Sequence, residues 1–287
     1  MACLIWQIAP QTHTQMMGYV IKSENKLTVI DGGTAGDASY LMHLLRRVGG
    51  PRPCVDTWFI THPHSDHAGA FLRLMEEQPN AIEVQNVRLR FPARNLLERG
   101  EPGALPVWDR YDALRPLIGP REQLLRENDT LSIGQAQWEV LYVTDPTIVK
   151  NASNNSSAVL RMTAEGQSVL FLGDLGVEGG ERLLAHWGGS LKSDIVQMAH
   201  HGQSAVKMDV YEAVRPSLCL WCTPKWLWDN NQGNRGYDSG QWDILHVRRK
   251  MAALQVRRHV VAKDGTFLIT LSHGQADVVC VDPFAAQ

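Results

Sequence analysis

The sequence predicts a single α/β domain in which short apolar strands alternate with helices along 287 residues. Two observations favour this class. Runs of β-branched and aromatic residues, such as 55–60, have the composition of strands and recur between helix-like segments. A polar loop dense in histidine, residues 61–67, joins one such strand to a helix, which is the layout of an active-site edge in an α/β protein.

The elements follow in a regular order along the chain. The first helix, near 37–47, has Asp37 as a candidate N-cap and is stopped by Gly49 and Gly50. Strands are predicted near 17–23, 26–31, 55–60, 82–90, 130–133, 137–143, 157–163, 168–173, 194–199, 217–222, 257–263 and 266–272. The other helices are predicted from residue 68 onward and near 178–187, 207–214 and 241–254.

One segment, residues 91–127, departs from this alternation. Prolines at positions 92, 102, 106, 116 and 120 divide it into short helical pieces. We therefore expect a single domain over 1–287 with an insertion at about 91–127. Such an insertion serves either as a lid or substrate wall or as a plain surface elaboration.

The densest chemical signal is a group of four side chains within six positions: His62, His64, Asp66 and His67. Packing and solubility do not require such a group, whereas divalent metal ions bind these donors. His62 and His64 leave an extended segment on the same side, because they are two residues apart. Asp66 and His67 follow the turn of the chain and approach a second ion from another direction.

Three segments outside 62–67 carry further candidate residues. Asp174 follows a buried apolar strand, where a carboxylate is poorly solvated unless a positive group meets it. His200 and His201 end another strand, and Asp31 stands in an Asp-Gly-Gly turn. Each feature alone reads as an ordinary turn, strand end or chance pair. Their occurrence together with the histidine motif indicates a metal site.

The segment 62–67 resembles the HxHxDH signature of the metallo-β-lactamase superfamily, and the resemblance extends from about residue 17 to residue 272. It implies a four-layer αββα sandwich of the α/β class, with two metals at one edge of its two sheets. In such a sandwich the last two predicted strands, 257–263 and 266–272, are expected to close the second sheet.

The resemblance also implies roles for individual residues. The implied metal ligands are His62, His64, Asp66, His67, Asp174 and His201, with Asp174 between the two ions. His201 is preferred over His200 as the last ligand, and His200 would protonate the leaving group or contact a phosphate. Asp66 and His200 are thus the candidate catalytic residues. Asp31 would lie behind the ligands and orient a histidine N–H.

The motifs Asn-Asn-Ser-Ser, Leu-Gly-Asp and His-His-Gly resemble one branch of the superfamily. That branch contains competence-associated DNA-uptake metallohydrolases and teichoic-acid phosphorylcholine esterases. Hydrolases of this fold usually supply a histidine as the third ligand of the first metal, but no histidine occurs between His67 and His186. Either Asn154 or Asn155 would fill that place through an amide oxygen, or water would.

We therefore expect a metal-dependent hydrolase, in the first place a phosphodiesterase acting on a small or head-group-like phosphodiester. Two bound divalent ions would lower the pKa of a shared water and make hydroxide available near neutrality. Zinc is the favoured metal, with manganese or iron as alternatives. The alternative functions are a nuclease, a lactonase or thioesterase of the same fold, and a catalytically weak metal-binding sensor or partner protein.

A loop predicted at 221–242 is rich in aromatic residues as well as in Asn and Gly. Trp226, Trp228 and Tyr237 are its candidate substrate contacts. Arranged as a cage, they would suit a quaternary ammonium group or the face of a sugar or base. The alternative is that these side chains pack beneath the loop and seal the core.

Charge and composition limit the partners and the compartment. The net charge of −2 gives no basic field, so we expect a small-molecule substrate and no nucleic-acid partner. Five cysteines without framework spacing, among them Cys219 and Cys222 in an apolar run, indicate a reducing compartment. No leader and no membrane span are recognisable. We therefore expect a cytoplasmic protein unless a leader has been removed, and the oligomeric state stays open.

Overall fold

Two β-sheets lie face to face and carry helices on both outer surfaces in this computed structural model, which describes residues 2–283. The first sheet contains β1 (Cys3–Gln7), β2 (Gly18–Ser23), β3 (Lys26–Asp31), β4 (Cys54–Ile60), β5 (Glu83–Leu89), β6 (Glu122–Leu124), β14 (Gly265–Ser272) and β15 (Gln275–Pro283). The second contains β7 (Thr130–Ile133), β8 (Ala136–Tyr142), β9 (Val159–Ala164), β10 (Gln167–Phe171), β11 (Ile195–Gln197), β12 (Leu218–Trp221) and β13 (Arg258–Val261).

The helices alternate with these strands. They are α1 (Ala38–Gly49), α2 (Ser65–Glu77), α3 (Arg94–Gly100), α4 (Leu105–Ile118), α5 (Val177–Trp187), α6 (Met208–Val214), α7 (Lys225–Trp228) and α8 (Ile244–Ala253). Across residues 2–283, no helix has both the length and the apolar character that crossing a bilayer requires.

Parallel strands in one half of each sheet determine where the functional loops meet. The first sheet has the order β15-β14-β1-β2-β3-β4-β5-β6, and its strands β3 to β6 are parallel. The second has the order β13-β12-β11-β10-β9-β8-β7, with β10 to β13 parallel. A hydrogen bond from Ala158 N to Thr61 O, at 3.0 Å, joins the sheets where β4 ends. The loops that follow the parallel strands therefore face one another at one edge of the molecule.

The core between the sheets is built from large inward-facing side chains. Tyr19 and Phe171 have ring centroids 5.1 Å apart, and Phe59 and Trp138 have centroids 5.0 Å apart. All four are fully buried. Two further clusters of buried residues lie outside this core, one between the first sheet and α1, α2 and α4, the other between the second sheet and α5, α6 and α8. The predicted αββα sandwich is confirmed.

One predicted strand belongs to the other sheet. We expected 257–263 and 266–272 to close the second sheet together, but only β13 does so. After the turn at Ala262–Asp264 the chain crosses over, and β14 pairs with β1 in the first sheet. Ile269 and Leu271 of β14 then face the core between the sheets. Apolar periodicity identifies a strand but does not identify its pairing partner, which is why this prediction was wrong.

Strands β1, β6 and β15 are absent from the sequence prediction. β14 and β15 form a hairpin through His273 and Gly274, whose φ values of 48° and 73° are those of a two-residue hairpin turn. β6 is a three-residue edge strand of polar character, too short to give a periodic signal. β1 and β6 run parallel to β3 and β5 and end at the edge that carries the histidine motif, and the loop after β1 brings Gln15 Nε2 within 3.2 Å of Asp66 Oδ2.

Helix α2 begins three residues earlier than predicted, at Ser65 instead of residue 68. His64 is its N-cap residue, with extended backbone (φ −103°). Asp66 and His67 therefore lie in the first helical turn and not in a loop. An aspartate is favourable there because the N-terminus of a helix carries partial positive charge. The predicted loop 221–242 likewise contains a short helix, α7.

The segment 91–127 folds as α3, α4 and β6 and packs on the rest of the chain. Val107, Tyr111 and Ile118 of α4 join the buried cluster that covers the outer face of the first sheet. Trp108 Nε1 donates a hydrogen bond to Pro92 O at 3.0 Å, which joins α4 to the beginning of the segment. Its role as a lid stays a prediction.

Candidate metal centre

Asp31, at the carboxyl end of β3, fixes the start of the histidine motif. Its Oδ1 accepts a hydrogen bond from the Thr61 backbone N–H and its Oδ2 accepts one from Thr61 Oγ1, each at 2.8 Å. The same Oδ2 lies 2.7 Å from Nδ1 of His67. All three residues are buried. Asp31 thus lies behind the motif, in hydrogen-bond contact with one of its histidines.

His62 and His64 bring two imidazoles together at the end of β4. His62 Nδ1 lies 3.1 Å from Thr61 Oγ1 and 3.2 Å from Ser157 Oγ, so that nitrogen faces hydroxyl groups. His62 Nε2 points the other way and lies 3.1 Å from Nδ1 of His64. It is also 3.9 Å from Oδ2 of Asp174, which comes from the second sheet.

The first turn of α2 presents Asp66 and His67 to the same space. Because Asp31 holds Nδ1 of His67, the other nitrogen, Nε2, faces Asp174 Oδ2 at 3.1 Å. Asp66 Oδ2 lies 3.2 Å from Nε2 of His201. The first turn of α2 therefore brings the histidine motif of the first sheet into contact with Asp174 and His201 of the second sheet.

Asp174 is aimed into the centre by a tight turn after β10. Gln197 Oε1 accepts hydrogen bonds from the backbone N–H groups of Leu172 and Gly173, both at 2.8 Å. Gly173 has φ +57°, and a Cβ there would lie 2.9 Å from the Cβ of Ser157, so only glycine fits without displacement. Ser157 Oγ in turn accepts from Asp174 N at 3.0 Å. The carboxylate position is thus set by three surrounding segments.

Of the two adjacent histidines, His201 lies within the cluster and His200 lies at its margin. Both have left-handed backbone, with φ 50° for His200 and 55° for His201. His201 is fully buried, its Nδ1 is 2.9 Å from Cys222 O, and its Nε2 is 3.4 Å from Asp174 Oδ2. His200 is partly exposed, its Nδ1 is 2.9 Å from Ser204 O, and its Nε2 is 4.0 Å from Asp174 Oδ2.

The donor atoms form two groups that share one carboxylate. Asp66, His67, Asp174 and His201 compose the four-ligand group, and His62, His64 and Asp174 compose the three-ligand group; in each, all donor atoms lie within 4.8 Å of one another. Among residues 2–283, His67 Nε2, His201 Nε2 and both carboxylate oxygens of Asp174 are buried without a hydrogen-bond partner. Orphaned buried donors and acceptors are costly unless a cation meets them, so this donor set fits divalent metal.

The charges of the centre alter the protonation of its histidines. Burial lowers the pKa of His201, but the charge of Asp174 outweighs it, and the pKa rises to about 9. The same balance holds the pKa of His67 well above its ordinary value. Burial and the nearby charge of His67 keep the pKa of His62 well below its ordinary value. Without metal, the surrounding carboxylates therefore favour the protonated form of His67 and His201, while burial favours the neutral form of His62.

Glu101 is a residue of this centre that sequence reasoning missed. Its Oε1 lies 2.6 Å from Nε2 of His64, and its Oε2 accepts a hydrogen bond from Ser153 N at 2.9 Å. Glu101 belongs to the proline-rich segment between α3 and α4, far from every motif. No local pattern marks it, because its function depends on packing between distant segments.

The two asparagines proposed as a substitute third ligand differ in their hydrogen bonding. Asn155 is fully used: its Oδ1 accepts from Gly179 N at 2.9 Å, and its Nδ2 donates to Lys150 O at 2.8 Å. Asn154 donates to Asn151 Oδ1 at 3.1 Å, but its own Oδ1 is buried and has no partner among the described residues. Of the pair, Asn154 thus retains an oxygen for a ligand.

The predicted substrate contacts Trp226, Trp228 and Tyr237 belong to neither ligand group. Trp226 packs edge-on against Trp242, with centroids 4.9 Å apart. Trp228 carries the guanidinium of Arg248 on its ring at 3.8 Å. Trp228 and Tyr237 line a cavity of about 600 Å³ to which no residue of either ligand group contributes. Their role in substrate binding stays a prediction.

The fold and the donor set define the class of the protein. The sequence profile of the metallo-beta-lactamase superfamily matches residues 17–215. The chain belongs to this superfamily, whose members are metal-dependent hydrolases, and it carries a His/Asp cluster able to bind metal.

Individual relatives are distant. Competence protein ComA of Neisseria gonorrhoeae is 25% identical over 208 residues, which make up 72% of this chain and 25% of that protein. The chain thus spans about a quarter of the length of that relative. The structure is similar to YhfI of Bacillus subtilis, with a TM-score of 0.56 and 12% identity over 92% of this chain and 98% of that one. It is also similar to the diiron β-hydroxylase CmlA of Streptomyces venezuelae, with a TM-score of 0.52 and 13% identity over 94% of this chain and 54% of that one. At such identities these similarities show the fold alone.

Proposed function

We propose that this protein is a binuclear metal-dependent phosphodiesterase that acts on a small or head-group-like substrate. The observation that carries the proposal is the pair of ligand groups that share Asp174, whose carboxylate oxygens are buried without a hydrogen-bond partner in the part of the chain described. Two divalent ions held there would polarise a phosphoryl oxygen and activate water near neutral pH. His62, His64, Asp66, His67, Asp174 and His201 are the proposed ligands, with Asn154 as the weaker additional donor.

The chain's own residues supply the remaining functions. His200 lies beside the ligands, is partly exposed, and presents Nε2 toward Asp174 while its Nδ1 is held by Ser204 O. It is therefore placed to contact a substrate oxygen and to transfer a proton to the leaving group. Gln15 Nε2 donates a hydrogen bond to Asp66 Oδ2 at 3.2 Å, which orients the Asp66 carboxylate beside the other proposed ligands.

A cavity lined by arginines, which shares no residue with either ligand group, supports an anionic substrate. The cavity has a volume of about 750 Å³ and is lined by Arg90, Arg126 and Arg182, with Glu127 and Asp145 as its acidic residues. Arg90 directly follows β5, whose last residue pairs in register with the last residue of β4, so it emerges one strand away from the histidine motif. Arg182 is paired with Asp145. Among residues 2–283, Arg90 and Arg126 have no carboxylate partner and remain available for a phosphate.

The metal and the compartment are part of the proposal. We favour zinc because imidazole and carboxylate ligands suit it, with manganese or iron as alternatives. CmlA, which has a similar fold, is a diiron protein. All five cysteines are free thiols, in keeping with a reducing compartment such as the cytoplasm. We expect a small molecule as substrate and leave the oligomeric state open.

Nuclease activity is the second candidate. The observation in its favour is the similarity to a competence protein, together with the arginine-lined cavity. Against it stands a net charge of −2, which gives no global attraction for nucleic acid. Lactonase, thioesterase and non-catalytic sensor functions share the ligand set but do not require the cationic cavity.

The test is turnover of a substrate panel by the full chain loaded with zinc or manganese. The panel contains bis-p-nitrophenyl phosphate, p-nitrophenyl phosphorylcholine, p-nitrophenyl phosphate, a lactone, a thioester and single-stranded DNA. We expect phosphodiester turnover that Asp174→Asn abolishes and that Asp209→Asn, at an exposed aspartate of α6, leaves unchanged. Turnover of the lactone or thioester without any phosphodiester turnover would refute the proposal, and a clear preference for DNA would favour the nuclease.

A further inference from the structure

Glu101 makes two hydrogen bonds that connect three separate segments at the metal centre. One carboxylate oxygen contacts Nε2 of His64 at 2.6 Å, and the other accepts from Ser153 N at 2.9 Å. The side chain is only 22% exposed. It reaches this position because Gly100 packs closely on the neighbouring loop, where a Cβ would collide with Val149 O. The contact is thus built into the packing of the proline-rich segment and is not an incidental surface pair.

The chemistry of the contact determines which nitrogen of His64 is free. A carboxylate only accepts hydrogen bonds, so Nε2 of a neutral His64 must carry the hydrogen. Its Nδ1 then has the lone pair, and this is the atom that lies 3.1 Å from Nε2 of His62. Glu101 therefore presents the lone pair of His64 to the space that the three-ligand group surrounds.

Asp31 orients a histidine of the four-ligand group in the same way, but it contacts Nδ1 instead of Nε2. It contacts Nδ1 of His67 at 2.7 Å, and so leaves Nε2 of that ring to face Asp174. Each ligand group thus has one histidine whose tautomer is set by a carboxylate outside the group. Partners of this kind orient metal-binding histidines and typically change metal affinity by about 10–100-fold when removed.

We infer that Glu101 is a positioning residue for a divalent ion in the three-ligand group. It holds the His64 tautomer that can bind metal, and it couples that ion to the proline-rich segment and to the turn beginning at Ser153. This inference rests on the proposed binuclear centre. It assigns the three-ligand position a supporting residue that the histidine motif does not contain.

The test is Glu101→Gln in the full chain, because the amide keeps the size of the side chain but not its two acceptors. If the amide oxygen keeps the bond from Ser153 N, the amide NH₂ faces His64 Nε2 and forces the hydrogen onto Nδ1, where metal must bind. If the amide is reversed, the bond from Ser153 N is lost. The reversed amide keeps the His64 tautomer but frees the turn at Ser153, so the NMR readout tells the two arrangements apart. Neither arrangement changes a contact of the four-ligand group.

Two readouts separate this role from a general structural one. Zinc titration against a competing chelator should show two ions for the unchanged protein, with one affinity reduced about 10–100-fold in Glu101→Gln and the other retained. The affinity that falls should be the one that His64→Ala also abolishes. Nitrogen-15 NMR of the metal-free protein should show Nε2–H in His64 of the unchanged protein and a shift toward Nδ1–H in the variant. The matched control is Glu178→Gln, whose carboxylate contacts Asn155 and Lys150 but no histidine among the described residues.

The outcomes distinguish this inference from the proposed function. Two ions bound with unchanged affinities in Glu101→Gln would overturn the role of Glu101 and leave the binuclear hydrolase intact. A single ion in the unchanged protein would overturn both the binuclear centre and the inference. Equal weakening by Glu178→Gln would reduce the effect to a general loosening of the loops around the site and would also overturn the inference.

Discussion

The two ligand groups of the candidate metal centre differ in how their donors are assembled. The four-ligand group takes its side chains from the first turn of α2 and from the loops after β10 and β11, so both sheets contribute to it. The three-ligand group takes two of its donors from one short loop and shares the third, Asp174. The group encoded most compactly in sequence is therefore the less complete one in space.

The groups also differ in charge before metal binds. In the four-ligand group, His67 and His201 hold protons at neutral pH because the carboxylates around them raise their pKa values. In the three-ligand group, His62 is kept neutral by burial and by the positive charge next to it. An ion entering the four-ligand group must displace protons, whereas one entering the three-ligand group finds His62 already neutral. Completeness and proton competition thus act in opposite directions.

Removing one histidine from each ligand group tests most directly whether the two groups bind separate ions. His67→Ala should weaken the zinc ion of the four-ligand group at least about 100-fold, because losing a ligand costs more than losing the partner of a ligand. His64→Ala should remove only the ion of the three-ligand group. Zinc titration with a competing chelator measures both, and circular dichroism checks that each variant is folded. If the two variants lost the same ion, the division into two groups would be wrong.

A second prediction concerns pH in the metal-free protein. The pKa of His201 is raised from 6.5 to about 9, so its stabilising contribution is complete below about pH 6.5 and is lost as pH rises through 9. We expect the free energy of unfolding to fall by about 3 kcal/mol at most over this interval. Zinc affinity of the four-ligand group should rise over the same interval, because zinc displaces the proton.

Urea unfolding of chelator-treated protein at pH 6.5, 8 and 9.5 measures this dependence. His201→Gln cannot be protonated in this range and should flatten the curve, which makes it the control. A metal-free protein whose stability stayed constant or increased between pH 6.5 and 9.5 would contradict the predicted protonation of the four-ligand group.

Local composition and periodicity predicted the α/β class and most of the elements, whereas the αββα arrangement and the set of metal ligands were implied by the resemblance of residues 62–67 to the superfamily signature. The structure brings Asp174 and His201 together with the histidine motif. The sequence did not predict Glu101 or the sheet to which β14 belongs. Both depend on which distant segments pack against each other, and no short pattern carries that information.

A third prediction concerns the cationic cavity, which shares no residue with either ligand group. The double variant Arg90→Ala with Arg126→Ala should raise KM for an anionic phosphodiester about tenfold, as expected for the loss of one charge-assisted hydrogen bond. The variant should leave kcat and zinc binding nearly unchanged, since neither arginine contacts a ligand group among residues 2–283. Arg46→Ala, at an exposed arginine of α1, is the control. An unchanged KM for every anionic substrate would show that the cavity has no part in binding.

The smallest effect is expected at the second cavity, which the aromatic residues line. The ring of Trp228 already contacts Trp221 edge-on at 5.3 Å and carries Arg248 at 3.8 Å, so its faces serve packing and are not free for a ligand cation. Tyr237 is 69% exposed. We expect Tyr237→Ala to change kcat/KM less than about twofold, and Trp228→Ala to lower the free energy of unfolding by about 1–3 kcal/mol while kcat/KM is retained.

Steady-state kinetics on p-nitrophenyl phosphorylcholine, together with thermal unfolding, tests this pair of variants. The quaternary ammonium group of p-nitrophenyl phosphorylcholine is the ligand that an aromatic cage would recognise. A large rise in KM for this substrate in Tyr237→Ala, with unchanged thermal stability and unchanged KM for bis-p-nitrophenyl phosphate, would restore the cage. Head-group recognition would then belong to the second cavity. That cavity lies at the β12 and β13 end of the second sheet, whereas the arginine-lined cavity lies at the β8 end.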